Sequence, residues 1–246
     1  MKADLSRQWR LLDLQKLDTR LDQLNHRAGA LPVLAELAAA HEQSTRVDED
    51  LVLARTAVTD IDREITKADQ DVQLVRDRST RNRARLDSGQ GSPKELQSMQ
   101  HELDTLARRQ SELEDVELEI MERAESLRSD LVEKERKRTE LDEQLSRLED
   151  QRDRDVRDIE SERTDVSKDR DQIAPGLGDD LLALYEKVRD QHGGLGAAAL
   201  IARRCGGCQL ELNQADLGRI RGAAEDEVLR CEECRRILVR TAESGL

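Results

Sequence analysis

Phenylalanine is absent from the 246 residues of this chain, and tryptophan and tyrosine occur once each, as Trp9 and Tyr185. A globular core of this length leans on large aromatic side chains, whereas a two-helix coiled coil needs only Leu, Ile, Val, Met and Ala along one seam. The length admits two domains, but this composition excludes two ordinary globular ones. Proline is nearly as scarce, confined to Pro32, Pro93 and Pro175, so long helices can run between these points. No run approaches the roughly 18 apolar residues of a membrane span, and Met1-Lys2-Ala3-Asp4 has no apolar stretch behind it. The expectation is a cytoplasmic protein without membrane contact.

Charge, by contrast, is abundant: 39% of the residues are charged, with a formal net charge of −13. High charge with low hydrophobicity is also the signature of disorder, and sustained apolar periodicity is what argues against that reading here. The negative field disfavours nucleic acid and anionic membranes as partners of the whole surface. Any contact with a polyanion must come from a local basic patch.

Asp87-Ser88-Gly89-Gln90-Gly91-Ser92-Pro93 is the one cluster of turn formers in a long helix-favouring run. Its glycines can take positive φ, and Pro93 suits the first turn of a new helix. Apolar steps of three and four lead toward it through Leu37, Ala40, Ser44, Val47, Leu51, Ala54, Val58, Ile61, Ile65, Ala68, Val72 and Val75. One unbroken register leaves it through Leu96, Met99, Leu103, Leu106, Gln110, Leu113, Glu117, Ile120, Ala124, Leu127 and Leu131, with Gln110 and Glu117 polar, and continues to Ile173. The seam turns polar at Lys134, Arg138, Arg152, Asp155 and Glu162, where long side chains snorkel out or another element covers the site. An earlier helix, Asp4 to about Arg27, precedes a kink expected near 29–32 at Gly29 and Pro32. At 1.5 Å per residue the returning arm is about 120 Å long, and the outgoing arm and N-terminal helix together are about 115 Å. Residues 1–174 therefore read as a long antiparallel coiled-coil hairpin with its tip at 87–93. Residues 175–196 read as a linker with a short helix from about Asp179 to Asp190. Residues 197–246 form a small α+β end in which Ala197–Ile201 suits a strand.

All four cysteines lie in the last 42 residues, as Cys205-Gly206-Gly207-Cys208 and Cys231-Glu232-Glu233-Cys234. A two-residue spacer lets the backbone curl until both thiolates converge on one ion, and two such loops complete a tetrahedral four-sulfur site. The reading is one structural Zn²⁺. A rubredoxin-like iron site shares the sulfur pattern, and dithiol redox chemistry uses single pairs. Between the pairs there is room for a helix capped by Asn213, carrying Leu217 and Ile220 and ending at Gly222. With so few apolar residues, this end should draw most of its folding free energy from the metal, on the order of 10 kcal/mol.

With these motifs in place, the chain resembles the bacterial C4-type zinc-ribbon family in which a long helical hairpin precedes the ribbon. The resemblance rests on Ser92-Pro93-Lys94-Glu95-Leu96, Gln110-Ser111-Glu112-Leu113-Glu114-Asp115, Leu182-Ala183-Leu184-Tyr185-Glu186, the two cysteine pairs, and Ile237-Leu238-Val239. It implies a nucleic-acid-binding zinc-ribbon protein, or a relative of chaperones that bind export substrates, a sigma factor or messenger RNA. At Arg235 the chain departs from the glycine that often follows the last cysteine of such a knuckle, which puts the local turn in question.

Two surfaces are candidates for binding. Arg76, Arg78, Arg81, Arg83, Arg85 and Lys94 crowd around the tip with few acids between them, a local reversal of sign that could hold phosphates or an acidic protein. The same residues also suit a solvated helix C-terminus. On the ribbon, Arg203, Arg204, Arg235 and Arg236 stand with Arg219, Arg221, Arg230 and Arg240, balanced nearly one for one by acids between Ala197 and Leu246, and no aromatic residue lies in this stretch to stack bases. His26, His41, His101 and His192 are scattered, and no phosphate loop or nucleophile motif is present. The expected role is non-enzymatic: a monomer or weak dimer contacting RNA or a protein complex.

Overall fold

In the computed structural model, which describes Met1 to Leu246, helices begin and end where the breaks in the apolar pattern place them. The elements in order are α1 (Leu5–Gly29), α2 (Pro32–Asp87), α3 (Pro93–Ile173), a 3₁₀ turn (Ala174–Leu177), α4 (Asp179–Gln191), β1 (Ala197–Ile201), β2 (Arg204–Cys205), α5 (Gln214–Gly222), β3 (Leu229–Arg230) and β4 (Ile237–Val239). Asp4 caps α1 by accepting the Arg7 N–H, and Ala30 and Leu31 form the expected break before Pro32. No helix is long and apolar enough to cross a membrane.

Contacts divide the chain into two units, Ala35–Glu149 and Met1–Leu34 with Asp150–Leu246. The first is the antiparallel pair of α2 and α3. Val47, Leu51 and Leu141 are buried together with Leu131 against them, and ion pairs cross between the helices at Arg55–Glu135, Arg123–Glu64 and Arg128–Asp62. Partner numbers on α3 fall as those on α2 rise, the order of an antiparallel pair. The polar seam behaves as long side chains dictate: Arg138 reaches Asp48 and Asp142, and Lys134 reaches Asp130. At the tip, Gly89 and Gly91 take positive φ of 65° and 143°. The start of α3 carries a reciprocal cap in which Glu95 Oε2 accepts the Ser92 N–H and Ser92 Oγ accepts the Glu95 N–H.

The second unit holds a four-stranded sheet in the order β2-β1-β4-β3, with β1 and β4 parallel and the outer pairings antiparallel. Alternation along β4 buries both of its faces. Leu238 joins Ala198, Leu200, Leu217, Ile220 and Leu229 on the α5 side. Ile237 and Val239 join Leu11, Leu14, Leu177, Leu181, Tyr185 and Val188 on the other. Residues 175–196, read from the sequence as a linker, therefore carry the expected helix and also build core. The apolar interior at this end is larger than the cysteine region alone suggests, because α1 and α4 supply its second half.

Polar side chains of α1 bind this unit together. Gln15 Oε1 accepts the Gly196 and Ala197 N–H groups at 2.6 and 3.1 Å, while its amide donates to Gly194 O. Gln8 Nε2 donates to Ala3 O and Glu225 O. Asp18, with its side chain 2% exposed, receives Arg170 Nε at 2.6 Å and the Tyr185 hydroxyl at 2.7 Å. A buried carboxylate is tolerated only with such partners.

Candidate metal centre and charged surfaces

The sheet brings the two cysteine loops together. Cys205 ends β2, Cys231 follows β3, and the loops share one backbone pattern: Cys205 N–H donates to Leu210 O and Gln209 N–H to Cys205 O, as Cys231 N–H donates to Arg236 O and Arg235 N–H to Cys231 O. In both loops the residue after the second cysteine lies in the left-handed region, Gln209 at φ 61° and Arg235 at φ 59°. The turn thus forms with arginine in the place where glycine is usual, at the cost of a strained residue. A third left-handed segment, Ala202 and Arg203 between β1 and β2, is held by the C-terminal tail, which accepts their N–H groups at Glu243 O and Ser244 O.

All four sulfurs lie within 4.8 Å of one another, with Cys205 and Cys234 separated by 3.8 Å and Cys208 and Cys231 by 3.9 Å. Four sulfurs placed tetrahedrally about 2.3 Å from one ion would stand about 3.8 Å apart, so the donor set fits zinc. Burial pushes the Cys231 thiol up to about 12, against the opposing pull of the Cys234 and Glu233 amides. Burial raises Cys205 as well, and a cation at the centre reverses that balance by stabilising the thiolates. Cys208 and Cys234 are half-buried and Cys205 and Cys231 buried, the closed arrangement of a structural site.

The basic tip is reshaped by the facing helix. Arg76 pairs with Glu114 at 2.6 Å and Arg78 Nε with Glu102 at 2.8 Å, and the Arg78 bond holds Glu102 below the usual carboxylate range. The acids missing from the local sequence come from α3, so these two arginines serve the hairpin itself. Arg81, Arg83, Arg85 and Lys94 make no ion pair and are exposed. From Arg78 to Lys94 the one acid is Asp87.

The ribbon arginines are mostly engaged. Arg236 donates to Leu195 O and His192 O, and Arg203 to Gly245 O. Arg235 pairs with Glu232, and Arg204 lies 3.8 Å from Glu211. Arg240 caps the end of α5 through the carbonyls of Ile220 and Ala223. What the sequence reading missed is an aromatic residue at this end: Trp9, from α1, donates its indole N–H to Arg240 O while half its surface stays exposed. It is far away in sequence, and only the folding of α1 onto the sheet brings it there.

The chain matches two family models, a CT398-like coiled coil hairpin domain over residues 14–193 and a C4-type zinc ribbon domain over residues 204–238. An uncharacterised protein of Mycobacterium tuberculosis is 37% identical over 240 residues, 98% of each chain. A solved structure from Mycobacterium smegmatis is 36% identical with a TM-score of 0.85, covering 98% of this chain and all of that one. CT398 from Chlamydia trachomatis shares the fold at 17% identity, with a TM-score of 0.67 over 96% of this chain and 98% of its own. The ribbon match and the clustered sulfurs agree on one structural zinc ion held by Cys205, Cys208, Cys231 and Cys234.

Proposed function

The chain belongs to the family of CT398-like coiled-coil hairpin proteins with a C4-type zinc ribbon, and from that premise we propose that it is a non-enzymatic adaptor whose hairpin tip contacts nucleic-acid phosphates, RNA in preference to DNA. The observation that carries this reading is the unpaired quartet Arg81, Arg83, Arg85 and Lys94 on a chain of net charge −13. Cations free of carboxylate partners are available to displace counterions from a phosphate backbone. No chemistry competes for the role: the cysteines are committed to the metal, and the carboxylates lie on exposed helix faces or in ion pairs.

The test is binding of the full-length, zinc-loaded protein to a mixed cellular RNA pool and to matched DNA across a salt series. A variant with Arg81, Arg83 and Arg85 changed to Ser is run alongside. Loss of three phosphate contacts should flatten the log–log salt slope by about 2 and weaken binding at every salt concentration. Absence of binding by the unaltered protein at moderate salt overturns the reading in favour of a protein tether.

A further inference from the structure

A groove of about 510 Å³ runs between α1 and β1. Ala197, Ala198 and Ala199 border it; by strand alternation Ala197 and Ala199 turn one methyl each toward α1 while Ala198 packs on the α5 side, so the strand leaves space where larger β-formers would fill it. Leu12, Leu195 and Ile201 add aliphatic surface, and Ile201 is 44% exposed. Half-exposed Trp9 lies one helical turn before Leu12 on α1, its indole N–H already taken by Arg240 O. The ring therefore offers apolar surface without an unmet donor.

The charge of the lining selects the occupant. Acids make up 54 of the 246 residues, yet none lines this groove, and its two charged residues, Lys16 and Arg20, are both cations. Their partners, Asp13 and Glu162, are exposed, and exposed pairs exchange at little cost. A nucleic acid fits this lining poorly: apart from Trp9, one turn before Leu12, the surface is aliphatic and gives bases no stacking platform, and the acid-poor cluster of exposed cations, Arg81, Arg83, Arg85 and Lys94, is at the hairpin tip.

We infer that this groove docks a segment of a partner protein in which a few aliphatic side chains are flanked by Asp or Glu, the aliphatics entering over the alanines and the acids re-pairing with Lys16 and Arg20. The site is separate from the tip, so its failure and that of the phosphate-binding reading are distinguishable.

The probe is a labelled synthetic peptide, acetyl-Glu-Glu-Leu-Ala-Leu-Ala-Leu-Glu-Glu-amide, titrated into the full-length zinc-loaded protein beside the same peptide with Lys in place of every Glu. Anisotropy reports binding, and the emission of Trp9, the only tryptophan, reports its place. The Glu peptide should bind at least about tenfold more tightly than the Lys peptide, given the cost of like charges at an interface. Ile201→Asp and Lys16→Glu, both at exposed positions, should each weaken it by about the same factor. The Arg81, Arg83 and Arg85 to Ser variant should leave it unchanged. Equal affinity for both peptides, no saturable binding of the Glu peptide, or indifference to both groove variants overturns the inference. So does a groove variant that impairs RNA binding while leaving the peptide untouched.

Discussion

Tyr185 donates its hydroxyl proton to Oδ2 of Asp18 across 2.7 Å, in an interior where the tyrosine is fully buried. Burial raises the phenol above its ordinary value, and the adjacent Asp18 carboxylate raises it further. A raised folded-state value stabilises the protein fully below the unfolded value and is lost as pH climbs above it. The effect should therefore be present at neutral pH and decline from about pH 10 upward. Because Tyr185 is the only tyrosine, absorbance near the phenolate band follows it without interference. The expected result is no ionisation across the usual tyrosine range, then a step coincident with unfolding of this unit. Tyr185→Phe should cost about 1.5–3 kcal/mol in denaturant unfolding, since it takes a donor from a buried charge.

Arg235 occupies the left-handed region at φ 59° with its N–H bound to Cys231 O. The strain of a side-chain-bearing residue there is about 1–2 kcal/mol, and glycine removes it. The only ion pair lost is the exposed one to Glu232, which contributes little. Arg235→Gly should tighten zinc binding by up to about tenfold in a chelator competition, because metal binding and folding of the loop are one process. Unchanged or weaker binding would show that the side chain does more than fill the turn.

Arg138 stands in the α2–α3 seam at a position the apolar register assigns to the interior, 27% exposed and paired with Asp48 and Asp142. Both carboxylates are more than half exposed, so removing the arginine leaves no buried charge behind. Leu at this position can pack toward Leu131 and Leu141. Arg138→Leu should raise the stability of the 35–149 hairpin by about 1 kcal/mol, and Arg138→Ala should lower it by loss of the stem's packing. Thermal unfolding followed by circular dichroism separates the two outcomes.

The helices were legible because period, caps and breakers agree: Asp4, Asn213, Gly89 and Pro93 each stand where local chemistry requires them. The cysteine site was legible because ligand spacing carries its own geometry. The embedding of α1 in the ribbon unit was not. Gln8, Gln15 and Asp18 are polar, and the periodic pattern assigns them to solvent, yet all three are buried. Their hydrogen-bond partners lie 4 to 217 positions away in the chain, and a buried polar residue leaves no periodic trace. The pairing at the tip was hidden for the same reason, since Glu102 and Glu114 are supplied by the opposite helix. The Ser92-x-x-Glu95 cap, in contrast, was open to a local reading.

Zinc removal should divide the molecule. Cys205 and Cys231 are part of the apolar cluster beneath α5, together with Leu200, Leu217 and Leu238. Loss of the ion leaves four thiols that no longer hold the two loops together, and Cys231→Ser removes a ligand outright. The face of the sheet that rests on α1 and α4 has its own cluster, but β1 and β4 contribute to both, so the sheet cannot lose one face and keep the other. Chelation or Cys231→Ser should therefore melt the strands and α5 and release Trp9 from Arg240, with a red shift of its emission. Residues 35–149 contain no ligand and bury their own seam, so most of the helical circular dichroism should persist. Loss of the hairpin signal together with the tryptophan shift would show that the two units unfold as one. Persistence of the native tryptophan emission after complete chelation would show instead that α1 and α4 hold the sheet without the metal.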